Sequence, residues 1–169
     1  MLSKLILIHA ATLFFVGCNS SAASPASEVA KNVSRIQLNS TTGDKKPIAP
    51  GNGLTIVNVF DEFSTGCPTG NRFETIDRLN SLRPAGTTLL LVFSDKNFST
   101  QDVENFKAIL PMAESMAQGD IETVRPHLSY GKFLVVLDSN GSLIWQEKSG
   151  MSEQQVLSEV SQLIHSTGK

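Results

Sequence analysis

Three short apolar runs, bounded by turn residues, set the frame of this chain. They are Leu54-Thr55-Ile56-Val57-Asn58-Val59-Phe60, Thr87-Thr88-Leu89-Leu90-Leu91-Val92-Phe93 and Phe133-Leu134-Val135-Val136-Leu137. Near-continuous apolar runs of this length predict strands covered on both faces. Between the first two, Phe73, Ile76, Leu79 and Leu82 recur at helical spacing, and Pro84-Ala85-Gly86 ends that helix. Ser99-Thr100-Gln101-Asp102 starts a second helix with a capping-box pattern and leads into Val103, Phe106, Ile109 and Leu110. A last helix opens at Ser152, where Gln155 completes a second box, and runs through Val156, Val160, Leu163 and Ile164. Asp138-Ser139-Asn140-Gly141 is a turn whose Asn-Gly pair signals a hairpin, so Leu143-Ile144-Trp145 pairs back antiparallel.

The remaining segments are less regular. Val33 to Leu38 predicts a short strand, followed by a turn over Thr42 to Pro47 and a loop over Pro50 to Gly53. Met112 to Met116 extends a helix, while Gly119, Pro126 and Gly131 break regularity up to the third strand. The order is β-α-β-α-β-β-α, a parallel pair followed by a hairpin. It predicts an α/β fold with a central mixed β-sheet and helices on both faces.

The amino terminus stands apart from that frame. Lys4 gives a short positive region, and Leu5 to Val16 is an apolar stretch too short to span a bilayer comfortably. Phe15-Val16-Gly17-Cys18 resembles a bacterial lipobox, which implies that residues 1–18 form a lipoprotein signal and that Cys18 carries lipid. Acyl chains would then hold an exported protein to the membrane, on its periplasmic or extracellular face, without a spanning helix. The alternative is plain secretion with cleavage near Ala22-Ala23. Residues 19–32, rich in Ser and Ala, read as a flexible tether, and residues 33–169 as the folded domain.

Charge and cysteine count narrow the chemistry. A formal charge of −2 over 169 residues gives no electrostatic reason to expect nucleic acid. Two cysteines, Cys18 and Cys67, supply no disulfide framework. With Cys18 lipidated, Cys67 is the single thiol of the mature chain. It lies between the first long strand and the first long helix, with Pro68 directly after it, and proline favours the first helical position. A sulfur at a helix amino terminus meets unpaired N–H groups and the positive end of the dipole, which favour a thiolate.

With a cysteine at this junction, the chain from about Ile36 to Ile164 resembles the thioredoxin superfamily. In the membrane-anchored thiol-disulfide oxidoreductases of that superfamily the motif is Trp-Cys-x-x-Cys. Here Gly66-Cys67-Pro68-Thr69-Gly70 keeps the first cysteine and places Gly70 where the second belongs. A mixed disulfide on Cys67 then has no resolving partner within the chain. The peroxiredoxins, the alkyl hydroperoxide reductase/thiol-specific antioxidant branch, carry Phe-Thr-x-Val-Cys-Pro-Thr-Glu. Phe63-Ser64-Thr65-Gly66-Cys67-Pro68-Thr69-Gly70 is similar in register, with Ser64 at the hydroxyl position. That resemblance implies Cys67 as nucleophile, Ser64 as a hydrogen-bond partner of thiolate and peroxide, and Lys132 at the position of the arginine that steadies peroxide. The chain departs from it at Phe60, where a proline is expected, at Gly70, where glutamate is expected, and at Lys132, since an ammonium lacks the planar guanidinium fork. Lys132 is read equally as a cation facing the sulfur and as a solvated lysine at a strand edge.

A third resemblance, to copper chaperones of cytochrome oxidase assembly, lacks a second cysteine. Met112, Met116 and His127 are soft ligands that would have to join Cys67 on Cu(I), while the two methionines read as core packing. Asp61 and Glu62 read as solvated acids at a strand end. There is no phosphate loop, dinucleotide glycine motif or zinc spacing, and no cofactor is expected.

Two functions follow. One is a single-cysteine, peroxiredoxin-like redox enzyme that uses an external thiol reductant and takes a peroxide or protein thiol as substrate. The other is a thioredoxin-fold binding or assembly module without chemistry, holding a partner protein or copper at the membrane.

Overall fold

The computed structural model describes residues 25–39, 45–61, 68–94, 99–110, 115–119 and 132–167. The three apolar runs become β3 (Thr55–Phe60), β4 (Thr88–Ser94) and β6 (Lys132–Leu137), the central strands of a five-stranded sheet. Two edge strands complete it: β5 (Ser115–Gly119) beside β4, and β7 (Leu143–Gln146) beside β6. The order is β5-β4-β3-β6-β7. β3, β4 and β5 run parallel, while β6 pairs antiparallel with both β3 and β7. Every residue of β3 and β6 is buried, as unbroken apolar runs require when both faces are covered.

Period-2 alternation divides these strands between two cores. Ile56, Phe60, Leu89, Leu91, Leu134 and Val136 face one side. There they meet Ile76 and Leu79 of α2 (Pro68–Leu82), Val103 of α3 (Thr100–Ile109), and Val156, Val160 and Ile164 of α4 (Glu153–Thr167). Two successive crossovers of the usual hand, β3-α2-β4 and β4-α3-β5, step the same way across the sheet, so their helices share a face. Val57, Val59, Val92, Phe133 and Val135 face the other side, against Val29 and Val33 of α1 (Pro25–Ser34) and against Ile36 and Ile48.

The expected helix starts and the turn have the bonding that their residues predict. Ser99 N donates to Asp102 Oδ2 at 2.8 Å, and Asp102 N donates back to Ser99 Oγ at 3.2 Å. That carboxylate holds its pKa below the usual range, chiefly through the Ser99 hydroxyl. Ser152 and Gln155 repeat the exchange at α4, at 2.9 and 3.3 Å. In the turn, Asp138 Oδ1 accepts from Asn140 N and Ser142 N, both at 2.8 Å, and Gly141 takes φ of +77°, where a Cβ would be strained.

Four expectations are corrected. Residues 25–32 are not a tether, because α1 spans Pro25–Ser34 and buries Val29 and Val33 one turn apart. Val33 therefore lies in the last turn of a helix, and the strand, β1, covers Gln37–Asn39, paired antiparallel with β2 (Lys45–Pro47). Met116 lies in β5 opposite Leu91 rather than in a helix: the chain returns as an edge strand, which needs only one strong apolar face. Leu82, the last of the helical apolar positions, is 43% exposed because α2 ends there, beyond the sheet it packs on.

Candidate functional site

α2 opens at Pro68, so the helix begins at the residue after Cys67. Ser64 and Cys67 themselves, like Met112 and His127, lie outside the described residues. What the structure shows is the ground on which that helix stands, and it is charged.

Arg72 is one turn into α2, four residues beyond Pro68, and its side chain is fully buried. It meets acceptors from three other parts of the chain. Nη1 donates to Asn58 Oδ1 at 3.2 Å, Nη2 to Glu147 Oε1 at 2.6 Å, and Nε approaches the Glu153 carboxylate at 3.0–3.2 Å. Asn58 is the single polar side chain between Ile56 and Phe60 on the helix-covered face of β3. Glu147 follows β7 and is tied to β6 by two bonds, Leu134 N to its Oε2 at 3.0 Å and its own N to Leu134 O at 2.8 Å. Glu153 is the first residue of α4, where the helix dipole favours a carboxylate.

Lys132 completes the cluster. It opens β6 opposite Phe60, the last residue of β3, and alternation puts it on the same face as Leu134 and Val136. It is only 8% exposed, and its Nζ pairs with Glu153 Oε1. The solvated strand-edge lysine is thus replaced by a buried one in an ion pair. Asp61, read as a solvated acid, is likewise buried, because it directly follows a strand that is paired on both sides. Two cations, Arg72 and Lys132, therefore face two carboxylates, Glu147 and Glu153, with the neutral Asn58 between. Geometry of this kind keeps buried charges paired and hydrogen-bonded, as they must be to be tolerated.

Burial pushes the Glu147 carboxyl above its usual range, outweighing the charge and hydrogen bond of Arg72, which pull it down. Glu153 adds to the rise, and Lys132 opposes it. A folded pKa raised above the unfolded value means stability that is full below about 4.5 and is lost as pH climbs through the raised value. Glu147→Gln removes that contribution. The wild type is therefore expected to gain on the variant as pH is lowered from about 7 toward 4.5, read as the difference between two melting curves; a gap independent of pH would contradict the assignment.

Sequence reasoning did not find Arg72, Glu147 or Glu153. Asn58 was the available signal: a polar residue inside a strand buried on both faces demands a partner. One surface depression, of about 520 Å³, lies at the opposite end of β3, lined by Asn52, Leu54, Pro84 and Asp138. Its carboxylate is engaged with turn amides, so the ionisable chemistry of the described residues gathers at the α2 start instead.

No family model matches the sequence, and comparison with curated proteins gives no match. Solved structures do match. A protein of Chlorobium tepidum assigned as the thiol:disulfide interchange protein DsbE aligns with a TM-score of 0.54 at 18% identity, covering 77% of this chain and 92% of its own. The bacterioferritin comigratory protein of Xanthomonas campestris, described with alkyl peroxide reduction activity, aligns at 0.56 and 18%, covering 82% and 96%. The exposed lipoprotein thioredoxin Etrx1 of Streptococcus pneumoniae aligns at 0.50 and 13%, covering 75% and 97%. At these identities the likeness is one of architecture. The chain has a thioredoxin-like fold.

Proposed function

We propose that this chain is an exported, membrane-anchored redox protein that works through one thiol, Cys67, in a peroxiredoxin-like reaction. The observation that carries the reading is the position of that cysteine: it directly precedes Pro68, where a 15-residue helix opens behind the central strand β3. A helix start of this kind favours the thiolate, which is the nucleophile. The thiolate attacks the distal oxygen of a hydroperoxide. A sulfur–oxygen bond forms, the O–O bond breaks, and the alkoxide or hydroxide leaves with a proton as alcohol or water. The resulting sulfenic acid condenses with an external thiol, releasing water and forming a mixed disulfide. A second external thiol then frees Cys67 and leaves as the oxidised disulfide, since Gly70 offers no resolving sulfur. Ser64 is assigned the orientation of thiolate and peroxide, and Lys132 a share in stabilising charge. Cys18, lipidated, supplies the anchor. Among the described residues no helix is long and apolar enough to cross a membrane.

The expected result is that reduced protein consumes hydrogen peroxide and that dimedone labels Cys67 in a peroxide-dependent way, while Cys67→Ser does neither. Labelling no greater than in a denatured control removes the reading. The pairing of Lys132 with Glu153 favours a second one, in which the fold is an assembly module for a partner protein or copper. A cation already matched by a carboxylate has less to offer a thiolate. For the partner-protein form of that reading Cys67→Ala is silent in cells, whereas under the first reading it behaves as a deletion.

A further inference from the structure

The two layers that flank the five-stranded sheet differ in charge. On one side α2, α3 and α4 expose Glu74, Asp102, Glu104 and Glu159, and the cations Arg78 and Lys107 are held there by Glu74 at 2.7 Å and Glu104 at 3.4 Å. On the other side α1 and the β1–β2 pair expose Lys31, Arg35, Lys45 and Lys46, none of them in an ion pair with a described residue. We propose that this basic layer is a docking surface for anionic phospholipid headgroups, which lays the α1 side of the domain on the membrane. The proposal rests on the reading of the chain as membrane-anchored, and it adds which face meets the bilayer.

Charge, contiguity and chain length support it. Residues 25–50 hold those four cations against two acids, Glu28 and Asp44, in a chain whose formal charge is −2. Lys31 lies in the last turn of α1 and Arg35 directly follows that helix. Arg35 leads into β1, where Lys46 stands opposite Leu38 and Lys45 opposite Asn39. One helical turn and four strand residues put the whole patch within roughly 20 Å. Val29 and Val33 are turned into the core, so α1 keeps no apolar stripe to insert among acyl chains, and the contact is electrostatic. Pro25 is seven residues on from Cys18, so a chain of at most about 25 Å joins a lipidated Cys18 to the first residue of this layer. A surface potential is felt only within about a Debye length, ~8 Å at physiological salt. The short tether brings the layer repeatedly into that range, and its cations then select the orientation.

The test uses the mature chain from residue 18, which keeps every described residue, with Cys18→Ser so that no acyl chain contributes. It is floated with vesicles at low ionic strength. Binding is expected to vesicles of phosphatidylglycerol with phosphatidylcholine and not to phosphatidylcholine alone, with release by added salt. At about fivefold for each cation near the surface, Lys45→Gln with Lys46→Gln is expected to weaken partition roughly 10-fold or more, and Lys31→Gln with Arg35→Gln to do the same. Arg78→Gln with Lys107→Gln removes equal charge from the opposite layer and is expected to leave partition within about twofold. The four cations of the basic layer are exposed, so their variants keep the fold, as melting curves establish. Equal losses from the two layers, or equal binding to neutral vesicles, overturn the proposal. Absence of binding to anionic vesicles also overturns it, and capture by soluble polyglutamate in that case assigns the patch to an acidic protein. The anchor is read separately, from the mass of the chain extracted from cell membranes. Lipid on Cys18 without vesicle binding keeps the anchor and removes the surface, while vesicle binding through the basic layer with an unmodified Cys18 does the reverse.

Discussion

Arg72→Met is expected to cost roughly 3–5 kcal/mol and to lower the melting temperature by about 10 °C or more. The side chain being removed is fully buried, and three acceptors depend on it: Asn58 Oδ1, Glu147 and Glu153. Methionine fills much of the volume, so the loss is electrostatic rather than a cavity. Glu147 keeps its Leu134 amide but loses its cation, and the Asn58 amide, whose Nδ2 already has no hydrogen-bond partner among the described residues, loses its oxygen's donor as well. Arg72→Lys keeps the charge, but one ammonium does not span three acceptors arranged around a planar fork, so it is expected to recover less than half of the loss. The decisive comparison is a triple variant, Arg72→Met with Glu147→Gln and Glu153→Gln. Breaking a buried pair from one side is what costs; dismantling it from both sides is often close to neutral. Denaturant titration should therefore place the triple variant above Arg72→Met in stability. If the single change stays within about 0.5 kcal/mol of wild type, the cluster is not what holds α2 to the sheet.

The same residues explain which parts of the molecule were legible in the sequence. β3, β4 and β6 were plain because strands buried on both faces must be apolar at nearly every position. The helix boxes at Ser99 and Ser152 and the turn at Asp138 were plain because their partners lie two to four residues away. α1 was hidden because, among its described side chains, Val29, Ala30 and Val33 are the apolar ones that reach the core, too few to establish a period in a Ser- and Ala-rich stretch. β5 was hidden because Ser115-Met116-Ala117-Gln118-Gly119 has no β-branched residue and takes its strand form from pairing along β4. The charge cluster was hidden for a different reason. Arg72 reaches Glu147 and Glu153 across 75 and 81 residues, and no spacing rule operates at that range. Of the candidate chemistry, Lys132 was named through the resemblance, while its burial against Glu153 was not legible because that partner lies 21 residues on, at the start of another element. Cys67 and Ser64 remain assigned by register to a resemblance and by the place where α2 begins.

Phe60→Ala is expected to cost roughly 3–5 kcal/mol, the usual loss for a buried phenylalanine. Its ring is fully buried and stacks between Phe73 and Phe93, with centroids 5.3 and 5.1 Å away. Phe73 belongs to α2 and Phe93 to β4, so one side chain ties the carboxyl ends of two parallel strands to the helix that starts beyond Cys67. This also accounts for the missing peroxiredoxin proline. Phe60 lies in a strand paired on both sides, with Phe93 in one direction and Lys132 in the other, where proline would withdraw a ladder donor as well as the ring. Phe60→Pro is thus expected to be worse than Phe60→Ala, whereas Phe60→Leu, which keeps apolar volume, should cost about half as much. The loss should also be local in its dynamics. α4 is held to the sheet by Val156, Val160 and Ile164, none of which is in the aromatic stack, while α2 leans on Phe60 directly through Phe73. Amide exchange in Phe60→Leu is therefore expected to quicken over Arg72–Ile76 and to stay near wild type over Val156–Ile164. Equal acceleration in both helices would mean that the stack only adds to global stability. Acceleration confined to α2 would make it a local support for the start of that helix.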